Sequence, residues 1–170
     1  MSEIAFLRES ASFLRDGGLR GWDPMALELE YAELLHSLIR AMRPLHVIES
    51  GAGCGISSVF IAQAILENGC GRLTTTEPDP RFREKAAQRL EGLPAQVLPG
   101  DSRDLVLVTA PDLVFLDSGP DTRQAEIDFW LTSSSWSGGD TTLVVHDANR
   151  GYGLPATGLW LRHGDGLWIG

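Results

Sequence analysis

Several features are scarce in this 170-residue sequence, and each shortage excludes a class of protein. The only two cysteines, Cys54 and Cys70, match no metal-binding spacing and suggest no disulfide framework. There are 14 basic residues against 23 acidic ones, and a net charge of −9 argues against nucleic-acid binding, which depends largely on basic contacts to phosphate. No apolar run is long enough to span a bilayer, and the acidic N-terminus is unlike a signal peptide. We therefore expect a cytoplasmic protein that binds neither nucleic acid nor membrane.

The composition that remains is typical of a globular domain. Hydrophobic residues make up 43% of the chain and charged residues 22%. A chain of this length is able to build one full hydrophobic core. The sequence shows no internal repeat, low-complexity segment or linker. We predict a single domain over residues 1–170, with N-terminal helices over 1–44 and an α/β core over 45–170.

A glycine-rich turn is the most informative stretch of the sequence. An apolar run at 45–48 predicts a buried strand, and Gly51, Gly53 and Gly55 follow it. Residues 57–66 then carry apolar side chains at helical spacing. Glycine lets a backbone approach a ligand closely, and the N-terminus of the next helix offers unpaired N–H groups. The pattern predicts a cofactor site, although a tight turn in an ordinary βα unit has the same local sequence.

The residues around the turn indicate which cofactor it suits. A dinucleotide fingerprint needs a glycine where Ile56 stands, which disfavours a nicotinamide dehydrogenase. Glu49 lies two positions before the first glycine. The pattern E-x-G-x-G-x-G resembles motif I of the class I S-adenosylmethionine-dependent methyltransferases. This resemblance implies that the turn holds the methionine part of S-adenosylmethionine and that Glu49 helps to hold its amino end.

The rest of the chain alternates between predicted strands and predicted helices. A long amphipathic helix covers about 23–42, a segment that in similar O-methyltransferases also closes one side of the cofactor pocket. The later predicted strands are 72–76, 95–98, 112–116, 141–145, 159–162 and 167–169, and the predicted helices are 79–90 and 121–131. This order predicts a doubly wound, Rossmann-like α/β sheet that is mostly parallel, with a C-terminal antiparallel hairpin and a shortened crossover after strand 5.

Polar residues end several of these strands, where ligands bind in open α/β sheets. Glu77 ends the second strand, and a carboxylate can accept from two vicinal hydroxyls at once. The resemblance assigns it the ribose of the cofactor, and the alternative is a helix-dipole role. Asp101 and Ser102 resemble the family's step at the adenine edge, or form an N-cap turn. The predicted cofactor-binding residues are Glu49, Ser50, Gly51, Gly53, Gly55, Ser57, Glu77, Pro78, Asp101, Ser102 and Asp117.

The fourth and fifth strand ends resemble those of catechol-type O-methyltransferases. That resemblance implies methylation of a hydroxyl group on a small molecule, with Mg²⁺ held by Asp117 and Asp147. Two departures weaken the metal assignment. Pro120 stands where those enzymes have their general-base lysine, and Ala148 separates Asp147 from the expected asparagine. The catalytic candidates are therefore Asp117, His146 and Asp147, with His146 as an alternative base. A non-catalytic cofactor-binding partner subunit is the competing hypothesis.

Two links in the chain are too short for a full helix with turns, namely 101–111 and 148–157. A doubly wound sheet needs helices over both faces, and these two links cannot supply a full helix. Part of one face should therefore be exposed. Trp160 and Trp168 would enlarge this apolar patch, and such patches usually mark an interface. We predict a homodimer or a complex with a partner protein, unless the N-terminal helix at 4–15 covers the face instead.

Overall fold

The fold, seen in a computed structural model, is described for residues 5, 27, 29–132, 141–146 and 159–163. Its elements of regular structure alternate between helix and strand, as the sequence predicts. In chain order they are α1 Leu29–Met42, β1 His46–Ser50, α2 Ile56–Asn68, β2 Arg72–Thr76, α3 Pro80–Arg89, β3 Ala95–Leu98, a 3-10 helix Ser102–Asp104, β4 Leu113–Leu116, α4 Pro120–Thr132, β5 Thr142–His146 and β6 Leu159–His163.

Local sequence explains where these elements begin and end. The Asp79 side chain accepts from the Arg81 N–H at 2.8 Å, and Pro80 occupies the first turn, so α3 begins as predicted. Gly69 ends α2 in the left-handed conformation, with φ of 69°. The first strand differs from its predicted range of 45–48. It runs two residues further, to Ser50, because β1 pairs with neighbours on both sides up to that position.

The strands form one sheet in the order β3-β2-β1-β4-β5-β6. The first five are parallel, and β6 pairs antiparallel with β5. This confirms the mostly parallel, doubly wound sheet and places an antiparallel strand at its C-terminal edge. The second strand of the predicted hairpin, 167–169, lies outside the described residues. Ser50 is in register with Thr76 on one side and with Leu116 on the other, so the carboxyl ends of β2, β1 and β4 meet at one edge.

Each face of the sheet has its own apolar core. The side chains of Val47, Leu73 and Phe115 pack under α1 and α2. The alternate residues, such as Ile48 and Val114, pack on the opposite face against α4. None of the described helices is both long enough and apolar enough to cross a membrane.

The link after β3 contains only one turn of 3-10 helix, in agreement with its predicted lack of a full helix. Leu105 and Leu107 of this link pack against the α4 core, whereas Val106 and Val108 are 96% and 99% exposed. The two valines alternate with these leucines, so the link presents one apolar side to the core and the other to solvent. The other short link, 148–157, and nearly all of the predicted helix at 4–15 lie outside the described residues, so the single domain over 1–170 stays a prediction.

Candidate cofactor and active site

A cavity of about 430 Å³ lies at the carboxyl ends of β1, β2 and β4. Its walls come from the glycine turn, the start of α3, the loop after β3 and the loop after β4. Eight of the predicted cofactor-binding residues line it: Ser50, Gly51, Gly53, Ser57, Glu77, Pro78, Asp101 and Asp117. Glu49, Gly55 and Ser102 lie near the cavity without lining it. The tertiary structure thus brings together residues that the sequence places in four separate segments.

The three glycines of the turn serve different purposes. A Cβ on Gly51 would lie 2.5 Å from the backbone oxygen of Asp117, and one on Gly55 would lie 2.9 Å from the Cα of Ala86. These two glycines are therefore required for packing of the backbone against its neighbours. A Cβ on Gly53 would meet nothing within 4 Å. The φ of Gly53 is 51°, so its requirement is conformational, and its surroundings leave room for a ligand.

Glu77 joins the glycine turn to the start of α3. Its carboxylate accepts from the Gly53 N–H at 2.8 Å and from the Asp79 N–H at 2.9 Å. The residue is only 6% exposed, yet its side chain lines the cavity. A carboxylate has about four acceptor sites, so these two bonds leave capacity for hydroxyl donors from a ligand.

Glu49 is fully buried behind the turn. Its carboxylate accepts from the Ser57 hydroxyl at 2.6 Å and from the Ser58 hydroxyl, both in the first turn of α2. Burial raises the pKa of Glu49, and the two serine hydrogen bonds oppose that shift. The carboxylate therefore holds the start of α2 in place. A role at the amino end of the cofactor stays a prediction.

Asp101 and Ser102 point in different directions. Asp101 lines the cavity and pairs with Arg103 at 2.8 Å, and hydrogen bonding by Arg103 lowers the pKa of Asp101. Ser102 is buried, donates to Glu126 at 2.6 Å and accepts from the Trp130 indole at 3.1 Å. Only Asp101 of this pair is placed to touch a ligand in the cavity.

Asp117 forms a close group with two residues from other elements. Its Oδ1 lies 2.9 Å from His146 Nδ1 and 3.3 Å from a guanidinium nitrogen of Arg123. His146, 5% exposed, also makes an edge-on ring contact with Tyr31 of α1. Asp147 lies outside the described residues. Among the residues that are described, no group of three or more His, Cys, Asp or Glu side chains could hold a metal ion.

Two residues of the site, Phe82 and Glu126, carry no sequence signal. Phe82 of α3 lines the cavity together with Leu27, and Glu126 of α4 lies behind it. The position of Leu27 agrees with the expectation that the segment before β1 closes one side of the pocket. Phe82 could have been found from its position one turn into the helix that follows Glu77. Glu126 belongs to no motif, and only its packing reveals its contacts.

The charged residues in the cavity wall all have the same sign. Among the described lining residues they are Glu77, Asp79, Asp101, Asp104 and Asp117, and none is a lysine or an arginine. Arginines outside the lining pair with Asp79, Asp101 and Asp117 and offset part of this negative charge. The remaining acidic character suits a positively charged ligand better than a pyrophosphate.

The sheet order and the cavity at its switch point define a Rossmann-like methyltransferase fold. A family model described as "Methyltransferase domain" matches residues 48–148. The chain belongs to this methyltransferase family. No match to the sequence was found among curated proteins.

Solved structures with the same fold include several O-methyltransferases. The O-methyltransferase TomG of Streptomyces achromogenes, involved in tomaymycin synthesis and solved with S-adenosylmethionine, is 26% identical, with 82% of this chain and 63% of TomG covered and a TM-score of 0.62. The methyltransferase PaMTH1 of Podospora anserina, bound to S-adenosylhomocysteine, is 15% identical (86% and 71% covered, TM-score 0.64). An O-methyltransferase from Bacillus cereus, also with S-adenosylhomocysteine, is 16% identical (81% and 64%, TM-score 0.63). The chain spans about two thirds of the length of these proteins.

The burial of Glu49 predicts a specific pH dependence of stability. Its pKa is raised above the ordinary value of 4.5, so the folded protein keeps a proton that the unfolded chain has lost. The contribution of Glu49 to stability is therefore full below pH 4.5 and is lost as the pH rises from there to the raised pKa, at about 1.4 kcal/mol per pH unit.

Glu49→Gln removes this titration and keeps the size of the side chain. We expect the variant to gain stability relative to the native protein as the pH rises from 5 to 8, as measured by urea unfolding at each pH. Glu84→Gln, at an exposed position on α3, is the control. A constant difference between native and Glu49→Gln curves across this range would contradict the prediction.

Proposed function

We propose that this protein is an S-adenosylmethionine-dependent methyltransferase that methylates a hydroxyl oxygen of a small molecule. The observation that carries the proposal is the acidic cavity at the switch point, which joins the glycine turn to Glu77 in a chain of the methyltransferase family. TomG, which shares the fold, is an O-methyltransferase solved with S-adenosylmethionine.

The cavity suits the separate parts of this cofactor. The backbone of the Gly51–Gly53 turn would hold the methionine part, and Glu77 would accept from the ribose hydroxyls. Asp101 would lie at the adenine edge. The positive sulfonium is compatible with a lining whose charged residues are all acidic. The same acidic lining disfavours a nicotinamide dinucleotide, because the pyrophosphate of that cofactor is negatively charged.

Bound S-adenosylmethionine supplies an electrophilic methyl group, so the protein must align the acceptor oxygen with it and remove the acceptor's proton. We favour His146 as the base: it is not among the residues that line the cavity, but it contacts Asp117, which does line it. Because its Nδ1 faces Asp117 Oδ1 at 2.9 Å, Nδ1 carries the proton of the neutral ring and Nε2 keeps the basic lone pair. Asp117 would stabilise the imidazolium that forms when Nε2 accepts the acceptor's proton.

The alternative way to lower the acceptor's pKa is Mg²⁺ held by Asp117 and Asp147. A positive guanidinium of Arg123 lies 3.3 Å from Asp117 Oδ1, so either a metal ion or the His146 imidazolium would share that oxygen with it. Chelation distinguishes the two alternatives. A cofactor-binding subunit without its own activity is the remaining alternative, and it predicts binding without methyl transfer to any acceptor.

Glu77→Ala should weaken binding of S-adenosylhomocysteine by about 1.5–3 kcal/mol, or roughly 10- to 150-fold, because hydrogen bonds to a charged group have this value. Isothermal titration calorimetry measures the effect. Glu84→Ala, at an exposed position on α3, is the control and should bind like the native protein. Native-like affinity in a folded Glu77→Ala protein would remove Glu77 from the site, and no binding by the native protein would contradict the proposed function.

His146→Asn should lower the methyl-transfer rate by about 100-fold or more, because asparagine can still donate to Asp117 but cannot act as a base. The pH profile of the methyl-transfer rate should also differ between the native protein and the variant, because the variant lacks the imidazole. Transfer assays on a panel of phenols and other hydroxylated metabolites would measure both. Loss of native activity after exhaustive chelation, with recovery on adding Mg²⁺, would favour the metal alternative.

We also propose a homodimer that covers the sheet face near the link after β3. The almost fully exposed side chains of Val106 and Val108, two positions apart on this link, support it, because exposed apolar patches are typical of interfaces. Light scattering at tens of micromolar should show a dimer that Val106→Lys with Val108→Lys converts to a monomer. Leu34→Lys, at a half-exposed position on α1, should leave the dimer intact. A native monomer would contradict this proposal.

A further inference from the structure

Glu126 of α4 is a fully buried carboxylate that accepts hydrogen bonds from three serine hydroxyls. Its Oε1 accepts from Ser50 and, at 2.6 Å, from Ser102, and its Oε2 accepts from Ser118. A buried carboxylate without such donors would be strongly unfavourable. A carboxylate has about four acceptor sites, so the three hydroxyls bind to it together. We call these four residues the Glu126 cluster.

The three serines belong to three different strand ends. Ser50 ends β1, Ser102 begins the 3-10 helix after β3, and Ser118 follows β4. Ser50 and Ser118 line the cavity, and Ser102 follows Asp101, which also lines it. Only one carbon atom, Cβ, lies between the serine backbone and its hydroxyl, so a hydrogen bond from that hydroxyl also restrains the backbone. The Glu126 cluster therefore connects three separate walls of the cavity.

Two more residues of α4 strengthen these connections. Trp130 donates from its indole nitrogen to Ser102 Oγ at 3.1 Å. Arg123 donates to the backbone oxygen of Ser118. Positions 123, 126 and 130 are three and four residues apart, so they share one face of the helix. One helix face thus holds both the loop that carries Asp101 and the loop that carries Asp117.

We propose that Glu126 is a positioning residue that holds the loops after β1, β3 and β4 at the spacing needed to bind S-adenosylmethionine. Glu126 does not line the cavity, so it acts on the ligand only through the three serines and their loops. The inference rests on the proposed function, because it concerns the binding site for that cofactor. It adds a residue that no motif in the sequence marks.

Calorimetry with S-adenosylhomocysteine tests the proposal on three proteins: native, Glu126→Gln and Glu126→Ala. The alanine variant leaves three hydroxyls without their acceptor, so its Kd should rise at least about tenfold, or ~1.4 kcal/mol. Glutamine keeps one acceptor oxygen for Ser50 and Ser102 and offers its NH₂ group to Ser118. The rise for Glu126→Gln should therefore be only about two- to fivefold, which amounts to rescue by the conservative variant.

A control variant separates positioning from a general loss of stability. Asn68 is buried at the end of α2 and bonds to Ile39 and Arg40, away from the cavity. Asn68→Ala should lower the melting temperature and leave the Kd within about twofold of the native value. Ser118→Ala should weaken binding in the native background and have a smaller effect in Glu126→Gln, because there it removes a hydrogen bond to a neutral amide instead of one to a carboxylate.

Native-like Kd in a folded Glu126→Ala protein would overturn the proposal, as would equal effects of Glu126→Ala and Asn68→Ala on binding. If Glu126→Ala does not fold, the Ser118→Ala and Glu126→Gln pair decides, and additive effects on binding would overturn the proposal.

If the native protein does not bind S-adenosylhomocysteine, the proposed function is wrong. Hydrogen exchange without ligand then tests the cluster: Glu126→Gln should speed exchange at the amides of Ala52, Asp104 and Asp117 but not at Gly69. Unchanged exchange at the first three would refute it.

Discussion

The close contact between the glycine turn and the backbone after β4 is the constraint on which the site depends. β1 and β4 are neighbours at the point where the strand order reverses, and the carbonyl of Asp117 occupies the space that a side chain at position 51 would fill. This contact places the turn that ends β1 against the loop that carries Asp117. The cavity wall is continuous there because position 51 has no Cβ. The His146 contact then follows from the pairing of β4 with β5.

Hydroxyl groups rather than basic side chains satisfy the buried carboxylates near the turn. Glu49 and Ser50 are consecutive in β1, so they face opposite sides of the sheet. Glu49 meets two serines at the start of α2, and Ser50 meets a glutamate on α4. The end of the strand is in this way held from both faces. Arginines near the site pair with Asp101 and Asp117 instead, whereas Glu77 accepts from two backbone N–H groups. Glu77 is thus the cavity carboxylate best placed to receive hydroxyl donors.

The local sequence was sufficient for most of the fold. β2 and β3 have the predicted bounds, and α3 begins at the predicted Asp79 cap, because β-branched runs and an Asp-Pro cap specify structure over a few residues. The shortage of residues after β3 also predicted the missing crossover helix. The apolar pattern ends β1 two residues too early. Glu49 and Ser50 are polar, and they belong to the strand because β1 pairs with neighbours on both sides.

The sequence by itself determined which residues are at the strand ends, and hence that Glu77, Asp101 and Asp117 lie near one edge of the sheet. Only the tertiary structure decided which of the neighbouring polar residues face the cavity. Glu49 and Ser102 are as polar as Glu77 and Asp101, but their side chains point into the protein. There Glu49 accepts from serine hydroxyls and Ser102 donates to Glu126. The contacts of Glu126 join three loops that are distant in the chain, and no local pattern encodes such a meeting. The physical reason is that successive side chains of a strand point to opposite faces of the sheet, so the surroundings of each residue depend on which helix or loop covers its face.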